Sequence, residues 1–248
     1  MARASADAVA EMAAEAGPAS ETLALDVVLD RRKPVSEQIY QALRQAIVSL
    51  RLPPGTAISE NRICRHVGVS RTPVREAIIR LAEDDLIEVF PQQGSFVAPI
   101  KLGTIRESHF IRKALELAVL RQAAACWNPE LSRRAHDLLA AQDDSLASQD
   151  EERFHVLDEA FHRNLAVSAD LAGVWDTIQG AKARVDRVHR LAAVEGRLPV
   201  VVKEHRAVIE ALDEGSADEA VARLEYHLDR ILALLDMLIG RNQRYFVE

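Results

Sequence analysis

Apolar residues recur at helical spacing along most of the chain, and this pattern predicts a series of helices. The first is predicted over 36–49 and ends before the turn at Pro53-Pro54-Gly55. The second follows Ser59, the expected N-cap, and ends at Gly68, a residue typical of helix C-termini. A third helix follows within a few residues, so the arrangement predicts a helix-turn-helix.

The third predicted helix begins at Ser70-Arg71-Thr72-Pro73, where Ser or Thr before Pro is a helix start signal. Its first turn carries two guanidinium groups four residues apart, on Arg71 and Arg75, beside two hydroxyls. Such donors suit phosphates and the guanine edge in a major groove, so we expect duplex DNA as a partner. For an isolated pair of arginines, a solvated surface helix is the alternative.

After Asp84-Asp85 the apolar period becomes strand-like. The segments 86–90 and 95–98 flank the polar turn Pro91-Gln92-Gln93-Gly94, which predicts a β-hairpin. Such a wing beside the third helix would bring Gln93 and the Gly94 backbone to the minor groove or to phosphates.

Charge is distributed unevenly along the chain. The formal net charge is −7, yet residues 31–106 hold 12 basic and 7 acidic side chains, a net charge of +5. A basic module on an acidic body fits a DNA-binding protein whose second domain has another role.

The N-terminal motifs resemble the winged helix-turn-helix of the GntR family of bacterial transcription regulators. The match includes Pro53-Pro54-Gly55, Ser59-Glu60, the run from Val69 to Ala77, and Gly94-Ser95-Phe96-Val97. The resemblance implies operator contacts by Ser70, Arg71, Thr72, Arg75 and Gly94. Fatty-acid-responsive members carry an arginine early in the second helix, where this chain has Asn61 and then Arg62. These two residues are candidate DNA contacts, but the operator sequence does not transfer.

From Leu102 onward the pattern is helical to the end of the sequence, and it predicts an antiparallel bundle of six or seven helices. The predicted fold is therefore mainly α, with a winged helix-turn-helix followed by an all-α bundle. We expect three regions: a disordered arm over 1–30, a DNA-binding domain over 31–100 and a helical domain over 101–248.

Asp158 and His162 are four residues apart and project from one helical face, where they could bind one cation. Alone, such a pair is more often a simple hydrogen bond. His205 and His227 lie on two later helices, and one carboxylate with three imidazoles suits Zn, Ni, Mn or Fe(II). A metal-free polar pocket is the alternative.

The same spacing resembles the FCD ligand-binding domain of the FadR-like GntR branch. The resemblance implies a divalent transition metal at Asp158, His162, His205 and His227, together with effector-binding roles for Arg112 and Glu116 on the first bundle helix. Arg187 and His189 belong to a basic helical cluster that could hold a carboxylate ligand, with a solvated face as the alternative. We expect His66, His109 and His136 to lie on the surface, whereas His155 could share the face of His162 without being a ligand.

Together these patterns predict a homodimeric repressor, not an enzyme, that binds a palindromic operator and responds to a small organic acid bound at the metal. One alternative is a metal sensor without an organic effector, and another is a metal-dependent enzyme tethered to DNA. The sequence has no apolar run of membrane-spanning length, so we expect a cytoplasmic protein without a membrane partner. Cys64 and Cys126 are expected to be free thiols.

Overall fold

The computed structural model describes Leu25 and residues 28–248, so residues 1–24, 26 and 27 of the expected arm lie outside it. The chain forms two compact units. The N-terminal unit runs up to Ile105 and also contains Ile239–Glu248, whereas the helical unit consists of Arg106–Leu238. The mainly α fold predicted from the sequence is confirmed.

Three helices form most of the N-terminal unit: α1 (Val35–Val48), α2 (Glu60–Val67) and α3 (Arg71–Glu83). Ser59 is the N-cap of α2, since its hydroxyl oxygen accepts a hydrogen bond from the Arg62 backbone N–H at 3.4 Å. Gly68 ends α2 with φ +74°, a left-handed conformation that favours glycine. Both predicted caps and the tight turn before α3 are therefore confirmed.

A small sheet follows the helix-turn-helix. Its strands are β1 (Ala57–Ile58), β2 (Ile87–Phe90) and β3 (Gly94–Val97), arranged in the order β1-β3-β2 with antiparallel pairing. Phe90 pairs with Gly94, so the three intervening residues form the hairpin turn. The hairpin is confirmed, whereas β1 has only two residues and is too short for an alternating pattern to reveal it.

The apolar faces of these elements meet in one core. Val74, Ala77, Ile78 and Leu81 share one face of α3 by their spacing, and all four are buried there. They pack with residues from the other helices and the sheet: Ile39, Leu43, Ile47, Ile63, Ile87 and Val97. Because this apolar face of α3 is buried, the opposite face of the helix lies at the surface.

A second, two-stranded pairing also belongs to the N-terminal unit. Strand β4 (Ile100–Lys101) follows the hairpin, and it pairs in parallel with β5 (Phe246–Val247). A short 3₁₀ turn, Gln243–Tyr245, precedes β5. The expectation of helix to the end of the sequence is therefore wrong. A strand of two residues has no periodic pattern of its own, and its hydrogen bonds come from a partner far away in the sequence.

Six helices make up the helical unit within the described residues. They are α4 (Leu102–Ala125), α5 (Pro129–Ala147), α6 (Glu151–Ser168), α7 (Ala172–Val194), α8 (Leu198–Asp213) and α9 (Ala217–Arg241). The ends of α4 and α9 extend into the N-terminal unit. Asn128 begins α5 by accepting hydrogen bonds from the backbone N–H groups of Glu130 and Leu131. Pro129 occupies the first turn of α5, a position where proline is well tolerated.

The core of the helical unit collects one apolar face from each helix. Fully or nearly fully buried members include Leu120, Phe161, Ile178, Val208 and Leu224. Phe161 also stacks on the His205 ring at 3.9 Å between ring centroids. The aromatic contact joins the apolar core directly to a cluster of polar side chains.

Candidate nucleic-acid interface and metal centre

The N-terminal turn of α3 presents its polar side chains to solvent. Ser70, Arg71 and Thr72 are exposed. Arg75 is also exposed, and its guanidinium donates two hydrogen bonds to Glu60 of α2, at 3.1 and 3.2 Å. Arg75 is therefore held in place across the helix-turn-helix, while Arg71 projects from the first turn of α3.

The other candidate DNA contacts lie on α2 and on the hairpin. Asn61 is exposed and Arg62 is half-buried. At the hairpin tip, Gln93 and Gly94 are exposed, and the Gln93 N–H donates to the Phe90 carbonyl at 3.2 Å. Gly94 has φ +119°, which favours glycine. All eight candidates belong to the N-terminal unit, on its helix-turn-helix and wing.

Three buried histidines come together in the helical unit. His162 on α6, His205 on α8 and His227 on α9 each offer a ring nitrogen, and these three nitrogens lie within 4.8 Å of one another. The Nε2 atoms of His205 and His227 are 3.3 Å apart. The sequence predicted this combination from three separate helices.

A different acceptor engages the other ring nitrogen of each histidine. The Nδ1 atom of His162 lies 2.6 Å from a Glu116 carboxylate oxygen, and Nδ1 of His227 lies 2.8 Å from Glu204. His205 Nδ1 lies 3.1 Å from the side-chain oxygen of Gln142, whose amide nitrogen donates to a backbone carbonyl. Because these oxygens accept, each Nδ1 carries a proton, which leaves the Nε2 atoms as the nitrogens that face one another.

Asp158 adds a carboxylate to the three imidazoles. Its Oδ1 atom is 3.7 Å from His205 Nε2 and 4.0 Å from His162 Nε2. Burial would raise the pKa of Asp158, but the positive charge of neighbours that include Lys182 outweighs burial and lowers the pKa well below its ordinary value. The carboxylate is therefore ionised at neutral pH.

The donor set fits a divalent transition metal. Burial lowers the pKa of His205 well below its ordinary value and also lowers that of His227, so both imidazoles are neutral at neutral pH. Neutral imidazoles with oriented Nδ1 hydrogens and one carboxylate are typical ligands of Zn, Ni, Mn or Fe(II). A cation would also separate the facing lone pairs on Nε2 of His205 and His227.

Arg112 and Glu116, on the first helix of the bundle, form one buried network with the histidines. The Arg112 guanidinium donates to Glu116 at 2.5 Å and lies 3.2 Å from Nε2 of His162 and 3.3 Å from Nε2 of His189. Burial would raise the pKa of Glu116, but Arg112 and His162 outweigh it and hold the pKa below its ordinary value. In this arrangement Glu116 orients His162, whereas Arg112 connects two histidines.

Three charged residues of α7 are also buried: Lys182 and Asp186, which the sequence did not single out, and Arg187, which it did. Lys182 donates to Asp186 at 2.6 Å, and its ammonium lies 3.9 Å from Asp158. Arg187, on the same helix, is buried with 3% of its surface exposed. By spacing alone, Lys182, Asp186 and Arg187 cannot be distinguished from residues on a solvated helical face.

A small cavity adjoins the candidate metal ligands. Its walls include Asp158 and His227 together with His155 and His189, and its volume is about 30 Å³. Apolar side chains and one further cation complete the lining: Phe154, Ala192, Arg197, Leu198, Val201 and Ile231. A cleft of about 370 Å³ lies beside it and shares the walls Phe154 and Leu198.

The histidines outside the cluster differ in exposure. His66 is exposed, and His136 is also exposed and paired with Asp213 at 2.8 Å. His109 has only 6% of its surface exposed and lies 2.9 Å from Asp229, so the surface position expected for it is wrong. Its partner Asp229 lies on α9, 120 residues away along the chain, and local sequence does not reveal such a contact.

Both cysteines lie in the described part of the chain, and both are free thiols, as expected. Among the described helices, none combines the length and apolar character that a membrane span requires.

Two family models together match most of the chain. The model of bacterial regulatory proteins of the gntR family matches residues 35–97, and the FCD domain model matches residues 107–230. These matches correspond to the helix-turn-helix with its wing and to the helical unit.

Similar proteins are named as transcription regulators. The chain is 36% identical over 209 residues to an uncharacterized HTH-type transcriptional regulator of Streptomyces ambofaciens, covering 84% of this chain and 88% of that protein. It is 34% identical over 227 residues to the HTH-type transcriptional repressor RspR of Escherichia coli K12, covering 91% and 100%. The solved structure of E. coli McbR/YncC has the same fold, with a TM-score of 0.69, 21% identity and coverage of 82% and 97%. The chain belongs to the GntR family of bacterial transcription regulators, and its helical unit is an FCD domain.

Proposed function

We propose that this protein is a homodimeric repressor whose operator affinity is controlled by a small organic acid bound beside a divalent metal in the FCD domain. Similarity to RspR, which is named as a repressor, supports the direction of regulation. The exposed donors on α3 and at the wing tip support operator DNA as the partner. Two copies related by a two-fold axis would place two α3 helices about 34 Å apart on successive major grooves.

One observation carries the metal in this proposal: three buried histidines face one another while Glu116, Gln142 and Glu204 each engage one Nδ1. Such outer acceptors fix the tautomer and orientation of metal-binding histidines. Asp158, His162, His205 and His227 would hold the ion. When bound, the ion supplies positive charge and open coordination positions that suit a carboxylate.

Control of DNA binding follows from linkage. An acid that enters the cavity beside Asp158 and His227 affects operator affinity only as far as it binds more tightly to one arrangement of the dimer. A preference of about 1–3 kcal/mol changes affinity by about 5- to 150-fold. Arg112 would bind the carboxylate of the acid or position His162 and His189 beside it. His189 would form part of the wall of the acid site.

Metal content of the purified full-length protein tests the proposal. We expect about one divalent ion per chain after reconstitution, and loss of that ion in His205→Ala. The exposed His136→Ala is the matched control and should retain the ion. Absence of metal from the wild-type protein would overturn the metal site.

Operator binding, measured in parallel, separates the alternatives. Selection from random duplexes supplies the operator, and acids of two to six carbons are added to the metal-loaded protein. Release by an acid, lost in His205→Ala, supports the proposal. Release by chelator alone, with no acid effective, supports a metal sensor instead. Turnover of an acid by the metal-loaded protein would favour a metal-dependent enzyme.

A further inference from the structure

One face of α4 carries a row of exposed residues within the helical unit. Their positions recur every three or four residues, so the side chains share one side of the helix. We call this row the α4 stripe: Glu107, Phe110, Ala114, Ala118 and Arg121. Phe110 is 73% exposed, and the three central positions carry no polar side chain. A solvated helical face is polar, so this composition indicates a surface that another protein covers.

The two ends of the stripe are charged. Among the described residues, neither Glu107 nor Arg121 has an ion-pair partner. Ile111, which is 41% exposed, widens the apolar centre on one side. An apolar centre with charged residues at its edge is typical of protein–protein interfaces, where charges are depleted from the core and kept at the rim.

The spacing of the stripe is symmetric about Ala114. The intervals between successive members are three, four, four and three residues. In an antiparallel pair of identical helices that cross at Ala114, each residue before this point faces the residue equally far beyond it on the other copy. Phe110 then packs on Ala118, and Glu107 meets Arg121. A parallel pair would instead place like charges side by side at both ends.

The sizes of the side chains suit this antiparallel arrangement. Helices pack with their axes about 8–10 Å apart, and their Cα atoms lie about 2.3 Å from the axis. The Cα atoms of two copies of Ala114 would therefore lie roughly 5 Å apart, which a methyl side chain allows. On either side of this point, the large ring of Phe110 is matched by the small Ala118.

We propose that the α4 stripe joins two copies of this chain as an antiparallel helix pair, with the two-fold axis at Ala114. This inference rests on the proposed function, which needs a homodimer but does not say which surface forms it. A second copy is the partner that fits, because one stripe supplies both the aromatic ring and the alanine it packs on. The same stripe also supplies both members of each ion pair, as a two-fold interface requires.

Disulfide cross-linking of the full-length protein tests the position of the axis. Ala114→Cys, in a background of Cys64→Ala and Cys126→Ala, should form a covalent dimer on mild oxidation, because the two Cα atoms lie within disulfide reach. Ala118→Cys in the same background is the matched control. Its two copies would be about 12 Å apart along the helices and should stay unlinked. Phe110→Cys combined with Ala118→Cys should link again. Absence of the Ala114→Cys dimer, or equal yields from the two single variants, overturns the arrangement.

Charge reversal tests the pairing at the ends of the stripe. Glu107→Arg places two arginines opposite each other twice in the dimer, so its dissociation constant should rise about 10-fold. Addition of Arg121→Glu restores opposite charges in reversed order and should return the constant to within about 3-fold of the wild-type value. Analytical ultracentrifugation measures both constants. A double variant that dissociates as readily as Glu107→Arg overturns the pairing.

A substitution at the apolar centre separates this interface from the homodimer itself. Phe110→Glu should raise the dissociation constant about 100-fold or more, since the change occurs twice in the interface. Val194→Glu, at a residue of α7 that is 77% exposed, is the control and should leave the constant unchanged. A dimer that Phe110→Glu leaves intact overturns the stripe alone. A wild-type protein that is monomeric both free and on operator DNA overturns the homodimer of the proposed function as well.

Discussion

Nε2 of His205 lies 3.3 Å from Nε2 of His227, while the Nδ1 atoms of the two rings are bound to Gln142 and Glu204. With both protons on Nδ1, the two Nε2 lone pairs face each other inside a buried cluster. A cation bound to both Nε2 atoms would remove the repulsion between the lone pairs. A change of tautomer in one ring would also remove it, but that ring would lose its Nδ1 hydrogen bond. In the proposed metal site, the outer acceptors therefore influence metal affinity.

Replacement of Glu204 tests this dependence directly. Glu204→Gln keeps an acceptor for His227 but removes the negative charge and the ion pair with Arg197. We expect metal affinity to fall about 10- to 100-fold, the range found when outer partners of metal ligands are changed. Competition with a chromophoric chelator measures it. Glu210→Gln, an exposed change on the same helix, should have no effect, and equal affinities for both variants would contradict the role of Glu204.

Much of the fold was predictable because helices leave a local signal. The 3.6-residue period located the helices, and Ser59, Gly68 and Asn128 mark helix ends through hydrogen bonds within a few residues. Strands β1 and β5 have two residues each, and their partners lie far away in sequence. A local pattern cannot indicate such pairings.

The candidate site was predictable where residue type and spacing both point to metal chemistry. Asp158 and His162 share a helical face, and His205 and His227 fall on later helices, so the four residues could be selected together. Gln142 and Glu204 resemble solvated residues in sequence, since their roles arise only when helices pack. Burial of Lys182 depends on the same packing.

Arg71 on the exposed turn of α3 is expected to contribute to operator affinity. Arg71→Ala removes a guanidinium that can contact a guanine edge or a phosphate, so affinity should fall about 10- to 100-fold. Titration of a selected operator at several salt concentrations distinguishes the two contacts, because loss of a phosphate contact lowers the salt slope by about 1. Arg153→Ala changes an exposed arginine of the FCD domain and is the control. Identical operator binding by wild type and Arg71→Ala would exclude the α3 contact.

Gly94 at the wing tip is expected to be intolerant of a side chain for a conformational reason. A Cβ atom there would meet only Phe96, at an ordinary 3.9 Å, but the φ of +119° is strained for other residues. Gly94→Ala should therefore destabilise the N-terminal unit by about 1–2 kcal/mol. Gly103→Ala, in α4 with no atom within 4 Å of the new Cβ, should stabilise it by about 0.5–1 kcal/mol. Denaturant unfolding measures both changes, and equal signs would contradict the backbone argument.

Phe246 anchors the pairing of β5 with β4. The ring is 9% exposed, and Phe246 pairs with Ile100, which is fully buried. Phe246→Ala removes most of this apolar burial, so the N-terminal unit should lose about 3 kcal/mol of unfolding free energy. Phe246→Leu retains more apolar volume and should lose less than half of that amount.

Hydrogen exchange tests whether this loss of stability comes from opening of the β4–β5 strand pair. Because β4 leads directly into α4 and β5 follows α9, the pair lies where the chain enters and leaves the helical unit. Phe246→Ala should speed amide exchange at residues 100, 101 and 247, while exchange in α5 stays unchanged. If opening of the β4–β5 pair does not depend on Phe246, the three amides will exchange at the wild-type rate in the variant. That result would show that Phe246 contributes packing alone and that the β4–β5 hydrogen bonds do not depend on it.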